Sequence, residues 1–309
     1  MVTSTLHRPR KILLAVDGSE HSLAAVKLLR DLPLKDPAQP DCLITILGVL
    51  NPREASSSAV HLAPLKQSEK LLAEKGLGVE TSLVLGYPAE TILQHAKKEL
   101  SDLTVMGAKG MRATLGILLG GVAQQVVEYT CCPVLIVRAP YNGIRRVVIA
   151  TDGSDSSQQA AEYLAQFPLP AEAQVQVVHV LPPASLMVPE YLIQTWSLGH
   201  DAIVSMPVPT PEEMDAQQAE EEKRGKEILD QAIETLASGG VQAEPVLLRG
   251  DTATELMAFS SSHQVDLIIT GSRGLSSVQG WLLGSVSRKL VHYANCSVLV
   301  VRSGPKSQT

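Results

Sequence analysis

The residues with the clearest chemical meaning are three glycines in the C-terminal half of the chain. Two residues separate Gly271 from Gly274, nine more lead to Gly284, and Ser285 follows directly. An apolar run, residues 266–270, comes just before them and is typical of a buried strand. Glycines let backbone amides come close to an anion, and a following helix adds its free N–H groups and positive dipole end. The spacing therefore predicts a phosphate-binding turn between a strand and a helix.

The N-terminal half carries the same three glycines, at Gly107, Gly110 and Gly120. Here Gly121 stands where the other copy has a serine, so one hydroxyl group is missing. Losing one hydrogen-bond donor costs about 1 to 2 kcal/mol, or roughly tenfold in affinity. The sequence thus predicts one complete phosphate site and a second, weaker one.

An internal repeat accounts for this duplication. Residues 11–19 (KILLAVDGS) match residues 146–154 (RVVIATDGS), and residues 127–138 match residues 291–302 in the same way. A chain of 309 residues is long enough for two domains of about 150 residues each. We therefore expect two copies of one unit.

We divide these units into residues 1–142 and residues 143–309. Asp17 and Asp152, which end the first strand of each copy, are 135 residues apart, whereas the first glycines of the two motifs are 164 residues apart. The second copy is therefore 29 residues longer, and the extra length falls at about residues 184–211. A proline-spaced, moderately apolar segment of this kind is consistent with a mobile loop, a lid or a partner-docking surface.

Each copy alternates short apolar runs with amphipathic segments, which predicts an open, mostly parallel five-stranded sheet with helices on both faces. Ligands of such sheets bind beyond the carboxyl ends of the strands. A serine, Ser154, is placed to cap the first helix of the second copy, and residues 213–237 predict a longer helix. The strands expected in the second copy are 146–151, 174–180, 242–248, 266–270 and 297–302.

Composition excludes several function classes. The net charge is −6 and no Lys/Arg-rich stripe stands out, so nucleic acid is not expected as a partner. No apolar run reaches the length of a membrane span or a secretory signal, which favours the cytoplasm. The eight histidines show no spacing that would gather metal ligands; His179 is expected to pack or hydrogen-bond within a strand.

Four cysteines complete the set of reactive side chains. Cys132 and Cys296 begin matching apolar strands, where a small buried residue is expected. The adjacent pair Cys131–Cys132 lacks the two-residue spacer and the basic surroundings that lower a thiol pKa, so no redox role is predicted.

The strand–Asp–Gly–Ser element and the glycine motif, both present twice, make each half similar to a universal stress protein domain. The whole chain resembles a tandem universal stress protein, apart from its short termini and the insertion. The resemblance implies a Rossmann-like fold of the adenine nucleotide alpha hydrolase-like type, and an intramolecular pseudo-dimer in which the last strands of the two halves meet. Further homodimerisation stays open.

The resemblance also implies ATP, ADP or AMP as the ligand, with magnesium. Asp152 would contact the nucleoside, Ala150 and Thr151 would line the base, and the backbone of Val180 would meet adenine. The phosphates would be surrounded by Gly271, Gly274, Gly284, Ser285 and Val286, with Arg273 nearby. The weaker set in the first half is Asp17, Val49, Gly107, Gly110, Gly120 and Gly121.

Five of these residues also have simpler interpretations from sequence alone. Asp152 would be a helix cap and Ser285 an N-cap, Gly271 and Gly274 would be turn glycines with no ligand, and Arg273 would be a solvated loop cation. The motif also lacks the lysine of a Gly-Lys-Ser/Thr phosphate loop, and no acid beside it is obviously placed to orient an attacking water. We therefore expect a regulatory stress-response protein that holds ATP with little or no hydrolysis. The alternatives are a slow ATPase or phosphotransferase that uses the insertion as a lid, and a scaffold that binds no nucleotide.

Overall fold

A computed structural model describes residues 8–35, 42–52, 58–111, 118–183, 210–275 and 283–302. Most of the predicted insertion, residues 184–209, lies outside these ranges. Each half contributes five strands and four helices to the described part of the chain.

In the first half the elements are β1 (Lys11–Ala15), α1 (Glu20–Asp31), β2 (Leu43–Leu50), α2 (Ser58–Ala73), β3 (Gly78–Leu85), α3 (Pro88–Lys98), β4 (Leu103–Gly107), α4 (Gly121–Tyr129) and β5 (Val134–Val137). In the second half they are β6 (Arg146–Ala150), α5 (Asp155–Leu164), β7 (Gln174–Leu181), α6 (Pro211–Ser238), β8 (Ala243–Arg249), α7 (Thr252–Ser262), β9 (Leu267–Gly271), α8 (Ser285–Tyr293) and β10 (Ser297–Val301). All five strands expected in the second half are present, within one residue of their predicted ends.

The strands form one sheet in the order β3-β2-β1-β4-β5-β10-β9-β6-β7-β8. Neighbours within each half are parallel, whereas β5 and β10 are antiparallel, with Leu135 opposite Leu299. The two predicted five-stranded sheets are therefore joined edge to edge into a ten-stranded sheet. This antiparallel contact is the one expected of the pseudo-dimer, and it pairs two apolar strands that would otherwise be exposed sheet edges.

Helices cover both faces of the sheet because adjacent strand residues point to opposite sides. Leu14 belongs to a core that includes buried residues of α1, α2, α5 and α6. Its neighbour Leu13 belongs to a second core that includes buried residues of α3, α4, α7 and α8. Each core runs through both halves, so the halves share two continuous apolar layers.

Side-chain caps begin several of these helices. The predicted cap Ser154 is confirmed: its Oγ accepts a hydrogen bond from the Ser157 amide at 3.3 Å. The long helix expected at 213–237 spans 211–238 as α6, and Thr210 and Glu213 form a reciprocal capping box at its start. In the described part of the chain no helix is long and apolar enough to span a bilayer.

Two cysteines follow the prediction, and the thiol pKa of a third departs from it. Cys132 and Cys296 are buried, as expected for strand-starting residues. Cys131 is exposed, and a hydrogen bond with Cys132 lowers the pKa of its thiol to about 6. The sequence analysis considered only a two-residue spacer and basic surroundings, and so it missed the largest cause of this lowered pKa, which is the neighbouring thiol.

Candidate functional site

The second half contains a cavity of about 430 Å³ at the carboxyl ends of β6, β7 and β9, hereafter cavity two. The starts of α7 and α8 close its other sides. All ten residues that the sequence assigned to this half line it. Among the described residues, the lining consists of Ala150, Thr151, Asp152, Ser157, Val178, Val180, Thr252, Leu256, Thr270, Gly271, Arg273, Gly274, Leu275, Leu283, Gly284, Ser285, Val286 and Ser287.

Asp152 connects the first strand of this half to the glycine motif. One carboxylate oxygen, Oδ1, accepts a hydrogen bond from the Ser154 amide at 3.0 Å. The other, Oδ2, accepts one from the Leu275 amide at 3.1 Å. The simpler interpretation of Asp152 as the helix cap is wrong, since Ser154 is the cap. The carboxylate instead holds the glycine turn against the end of β6.

The first two glycines of the motif are required by the protein itself. A Cβ on Gly271 would lie 2.5 Å from the carbonyl oxygen of Ser156. A Cβ on Gly274 would lie 2.6 Å from Oδ2 of Asp152. Both distances are shorter than real Cβ contacts, so these glycines permit the close approach of α5 and of the Asp152 carboxylate to the turn.

The third glycine is different. A Cβ on Gly284 would lie 3.4 Å from its nearest neighbours, Ser272 and Arg273, which is ordinary contact. Its backbone, with φ −66° and ψ 157°, suits any residue. Nothing in the described protein therefore requires a glycine here, whereas a side chain would stand in front of the start of α8.

Helix α8 begins without a side-chain cap. Gly284 is the N-cap and offers no side-chain hydrogen bond. The interpretation of Ser285 as the N-cap is therefore wrong: Ser285 is the first helical residue, and it is exposed. Because the first amides of a helix have no partner within the helix, those of Ser285 and Val286 are available at the cavity wall. Ser287 fixes this turn by donating its hydroxyl to the Gly271 carbonyl at 2.7 Å.

The opposite end of cavity two is formed by β7. The Thr151 amide donates to the Val178 carbonyl on one side, and the Gly250 amide donates to the Leu181 carbonyl on the other. Because alternate residues of a parallel strand bond to opposite neighbours, the N–H and C=O of Val180 face the side where β6 has already ended. This is the backbone that the resemblance assigned to adenine recognition.

His179, beside this strand end, is buried, and its Nδ1 lies 2.8 Å from the Thr151 carbonyl. The predicted packed or hydrogen-bonded role is confirmed. Arg273 is exposed beside the turn, and its amide donates to Oγ of Ser156 at 3.1 Å.

Sequence reasoning missed several hydroxyl and apolar residues of this cavity. Ser157, Thr252 and Leu256 come from the first turns of α5 and α7, and Thr270 and Ser287 flank the glycine motif. The available signal was positional: helices that follow strands in an open parallel sheet start at the ligand-binding edge.

The first half has an equivalent cavity of about 400 Å³, hereafter cavity one. All six residues predicted for this half line it: Asp17, Val49, Gly107, Gly110, Gly120 and Gly121. The Asp17 carboxylate accepts hydrogen bonds from the Ser19 amide at 2.9 Å and the Met111 amide at 3.1 Å. A Cβ on Gly120 would again find only ordinary contacts, at 3.5 Å or more.

The two cavities differ in their side-chain hydroxyls. Where cavity two has Thr151, Thr252, Thr270, Ser285 and Ser287, cavity one has Val16, Pro88, Met106, Gly121 and Ala123. The basic side chain is also different, with Lys109 in place of Arg273. Cavity one therefore keeps the backbone frame and the hydroxyls of Ser19 and Ser22, but it lacks a hydroxyl at these five positions.

With fold and cavities described, comparison with known proteins identifies the family. The family model described as "Universal stress protein family" matches residues 9–138, 143–202 and 191–302. The chain belongs to the universal stress protein family.

Relatives of both single-domain and tandem length are similar to it. The universal stress protein YxiE of Bacillus subtilis is 34% identical over 157 residues, which is 51% of this chain and 98% of that protein. The universal stress protein Rv2005c of Mycobacterium tuberculosis is 26% identical over 327 residues and aligns with 96% of this chain and 99% of its own. A solved universal stress protein from Archaeoglobus fulgidus has the same fold, with a TM-score of 0.62, 19% identity, and coverage of 98% of this chain and 99% of that one.

Proposed function

We propose that this universal stress protein is a stress-response regulator that holds ATP in cavity two with little or no hydrolysis. The observation that carries the proposal is Gly284, a glycine that the described protein does not itself require. It lies at an uncapped helix start that faces a cavity. A glycine at this position is explained by an anionic ligand that must reach the backbone amides.

The shape and polarity of cavity two support an adenine nucleotide. Its volume of about 430 Å³ is within the range of small-molecule sites. One end has the apolar side chains of Val178, Val180 and Leu256, suited to a base. The other end has the glycine turn and the α8 amides, suited to phosphates.

Arg273 and Ser285 are the side chains that would assist at the phosphate end. The exposed guanidinium of Arg273 can approach the phosphate oxygens from the turn. The described residues contain no cluster of carboxylates that would hold a cation by itself. Magnesium would therefore be held mainly by the phosphates, with the Ser285 hydroxyl as the protein ligand beside them.

Holding ATP, rather than hydrolysing it, follows from the position of Asp152. It is the one carboxylate among the described residues that line cavity two. Both of its oxygens already accept amides of the protein backbone, from Ser154 and Leu275. An acid engaged in this way is poorly placed to orient an attacking water, which phosphoryl transfer requires. Bound ATP would instead act by favouring one conformation or partner over another.

We propose that cavity one also binds adenine nucleotide, about tenfold more weakly, because its frame is the same but the hydroxyl at Gly121 is missing. The division into domains of residues 1–142 and 143–309 is likewise a proposal. It is supported by the end of β5 at Val137 and the start of β6 at Arg146.

Calorimetric titration with ATP and magnesium tests the proposal. In Gly284→Val, the Cβ makes only ordinary contacts with the described residues, and the side chain stands in the path of the phosphates, so we expect ATP to bind cavity two at least about 100-fold more weakly. The matched control is Gly120→Val, which should remove the weaker site and retain the tighter one. Unchanged affinity and stoichiometry in Gly284→Val would show that the assigned site is wrong.

A further inference from the structure

Arg138 follows β5 directly and reaches from the first half into the second. Its Nη2 donates hydrogen bonds to the carbonyls of Val291 at 2.7 Å and His292 at 3.1 Å, in the last turn of α8. Its Nη1 donates to the carbonyl of Leu118 at 2.8 Å. Leu118 precedes Gly120, the third glycine of cavity one, by two residues. One guanidinium therefore contacts both the loop of cavity one and the helix that faces cavity two.

Arg302, which follows β10, makes the reciprocal contact. Its Nη2 donates to the carbonyls of Val127 at 2.7 Å and Glu128 at 2.9 Å, in the last turn of α4. Each half thus uses the end of its last strand to hold the phosphate-facing helix of the other half.

Both guanidinium groups are largely buried, and Arg302 is only 8% exposed. Neither forms an ion pair with a carboxylate in the described part of the chain. Their charge is compensated by the carbonyls and negative dipole ends of α8 and α4. The position of each arginine is therefore fixed by the helix end that it contacts, and the position of that helix end is in turn fixed by the arginine.

This arrangement links the two cavities through rigid parts. Helix α8 has nine residues, so it is about 13 Å long, with one end at cavity two and the other at Arg138. A nucleotide that engages the start of α4 at Gly120 and Gly121 would fix the Leu118 carbonyl two residues before, and thereby the guanidinium that holds α8. A second nucleotide then meets a helix whose position is already fixed and loses less conformational entropy on binding.

We propose that Arg138 is a positioning residue that couples the two cavities, so that nucleotide in one raises the affinity of the other. The proposal rests on the function proposed above, with adenine nucleotide binding in both cavities. The coupling is reciprocal, as thermodynamic linkage requires.

The test is the affinity of cavity two for ATP with cavity one filled and with cavity one silenced. Titration of Gly120→Val gives the affinity of cavity two with cavity one silenced, and titration of Gly284→Val gives the affinity of cavity one alone. Because ATP enters the tighter cavity two first, the value with cavity one filled is the product of the two wild-type association constants divided by the cavity-one constant from Gly284→Val. We expect a ratio of about fivefold, at the lower end of typical couplings. In the Arg138→Lys background we expect a ratio of about one, because a single ammonium cannot bridge the Leu118 and Val291 carbonyls as a guanidinium fork does.

Arg146→Lys is the matched control. Arg146 also bonds a carbonyl beyond the end of a helix, that of His263 at 2.9 Å, but it lines neither cavity. The Arg146→Lys variant should keep the fivefold ratio between the two ATP affinities. If Arg138 had a purely structural role, Arg138→Lys would lower the ATP affinity of cavity two equally with cavity one filled and with cavity one silenced. The ratio of the two affinities would then stay unchanged.

Each outcome is decisive. A fivefold ratio that survives in Arg138→Lys, a ratio of one in the wild-type chain, or a single nucleotide bound per wild-type chain would overturn the coupling and leave ATP binding in place. If ATP binds neither the wild-type chain nor Gly120→Val, the proposed function itself fails and the coupling fails with it.

Discussion

Cavity one and cavity two share a frame and differ in what is added to it. In both, an aspartate at the end of the first strand accepts one amide from its own turn and one from the glycine motif. In both, the third glycine stands before a helix with no side-chain cap. Among the described lining residues, cavity two has six side-chain hydroxyls and cavity one has two, those of Ser19 and Ser22. The frame is thus common to both halves, whereas the number of hydroxyls differs between the two sites.

A parallel difference exists within each glycine motif. The first two glycines prevent clashes inside the protein, and the third leaves space in front of a helix. Substitutions at the first and third positions should therefore separate folding from binding.

The largest effect is expected for Gly271→Ala. Its Cβ would meet the Ser156 backbone at 2.5 Å, and backbone cannot move aside as a flexible side chain can. We expect the free energy of unfolding to fall by about 2 to 3 kcal/mol, as for overpacking of a core. Urea unfolding followed by circular dichroism measures the change.

Gly284→Ala is the comparison for this prediction. Its Cβ has ordinary contacts, so the free energy of unfolding should change by less than about 0.5 kcal/mol, as for a typical surface substitution. Equal destabilisation at both positions would contradict the division between folding and ligand-binding glycines.

A middle-sized effect is expected from exchanging the residue after the third glycine. Ser285→Gly should weaken ATP binding at cavity two about tenfold, and Gly121→Ser should strengthen it at cavity one by a similar factor. Both positions are the first residue of their helix, so each change adds or removes one hydroxyl in the same place. Calorimetry with magnesium and ATP gives both affinities.

Gly121→Ser also removes a poor helix former from the start of α4. Its unfolding free energy must therefore be measured beside its ATP affinity. If the helix becomes more stable while ATP affinity at cavity one stays the same, the hydroxyl is not what distinguishes the two cavities.

Much of this frame could be predicted from the sequence because it depends on local patterns. Strand-length apolar runs, the Ser154 cap and the glycine spacing each have a direct physical reading. The N-cap at Gly284 was missed because a serine is the better capping residue in isolation. The ligand-facing hydroxyls were missed because Thr252 and Ser157 approach the cavity only once the helices pack on the sheet.

Arg138 and Arg302 had no sequence signal at all. Apart from Leu118, their partners are main-chain carbonyls in the opposite half, more than 150 residues away for Arg138 and Val291. Main-chain atoms are present at every residue, so no residue type marks them as partners. Contacts of this kind emerge only when the antiparallel pairing of β5 and β10 brings the halves together.

The smallest expected effect concerns a difference at the other end of the sheet, where Cys131 in the first half corresponds to Asn295 in the second. The hydrogen bond with Cys132 lowers the pKa of Cys131 to about 6, so its thiol is mostly thiolate at neutral pH. The rate of alkylation of Cys131 by iodoacetamide, followed by mass spectrometry, should rise by only about a tenth between pH 7 and pH 8, whereas an ordinary thiol gains about eightfold.

Cys132→Ala removes the neighbouring donor and should restore the steep dependence of the alkylation rate on pH. A steep rise in the wild-type chain, or a flat one in Cys132→Ala, would show that Cys132 does not control the pKa of this thiol.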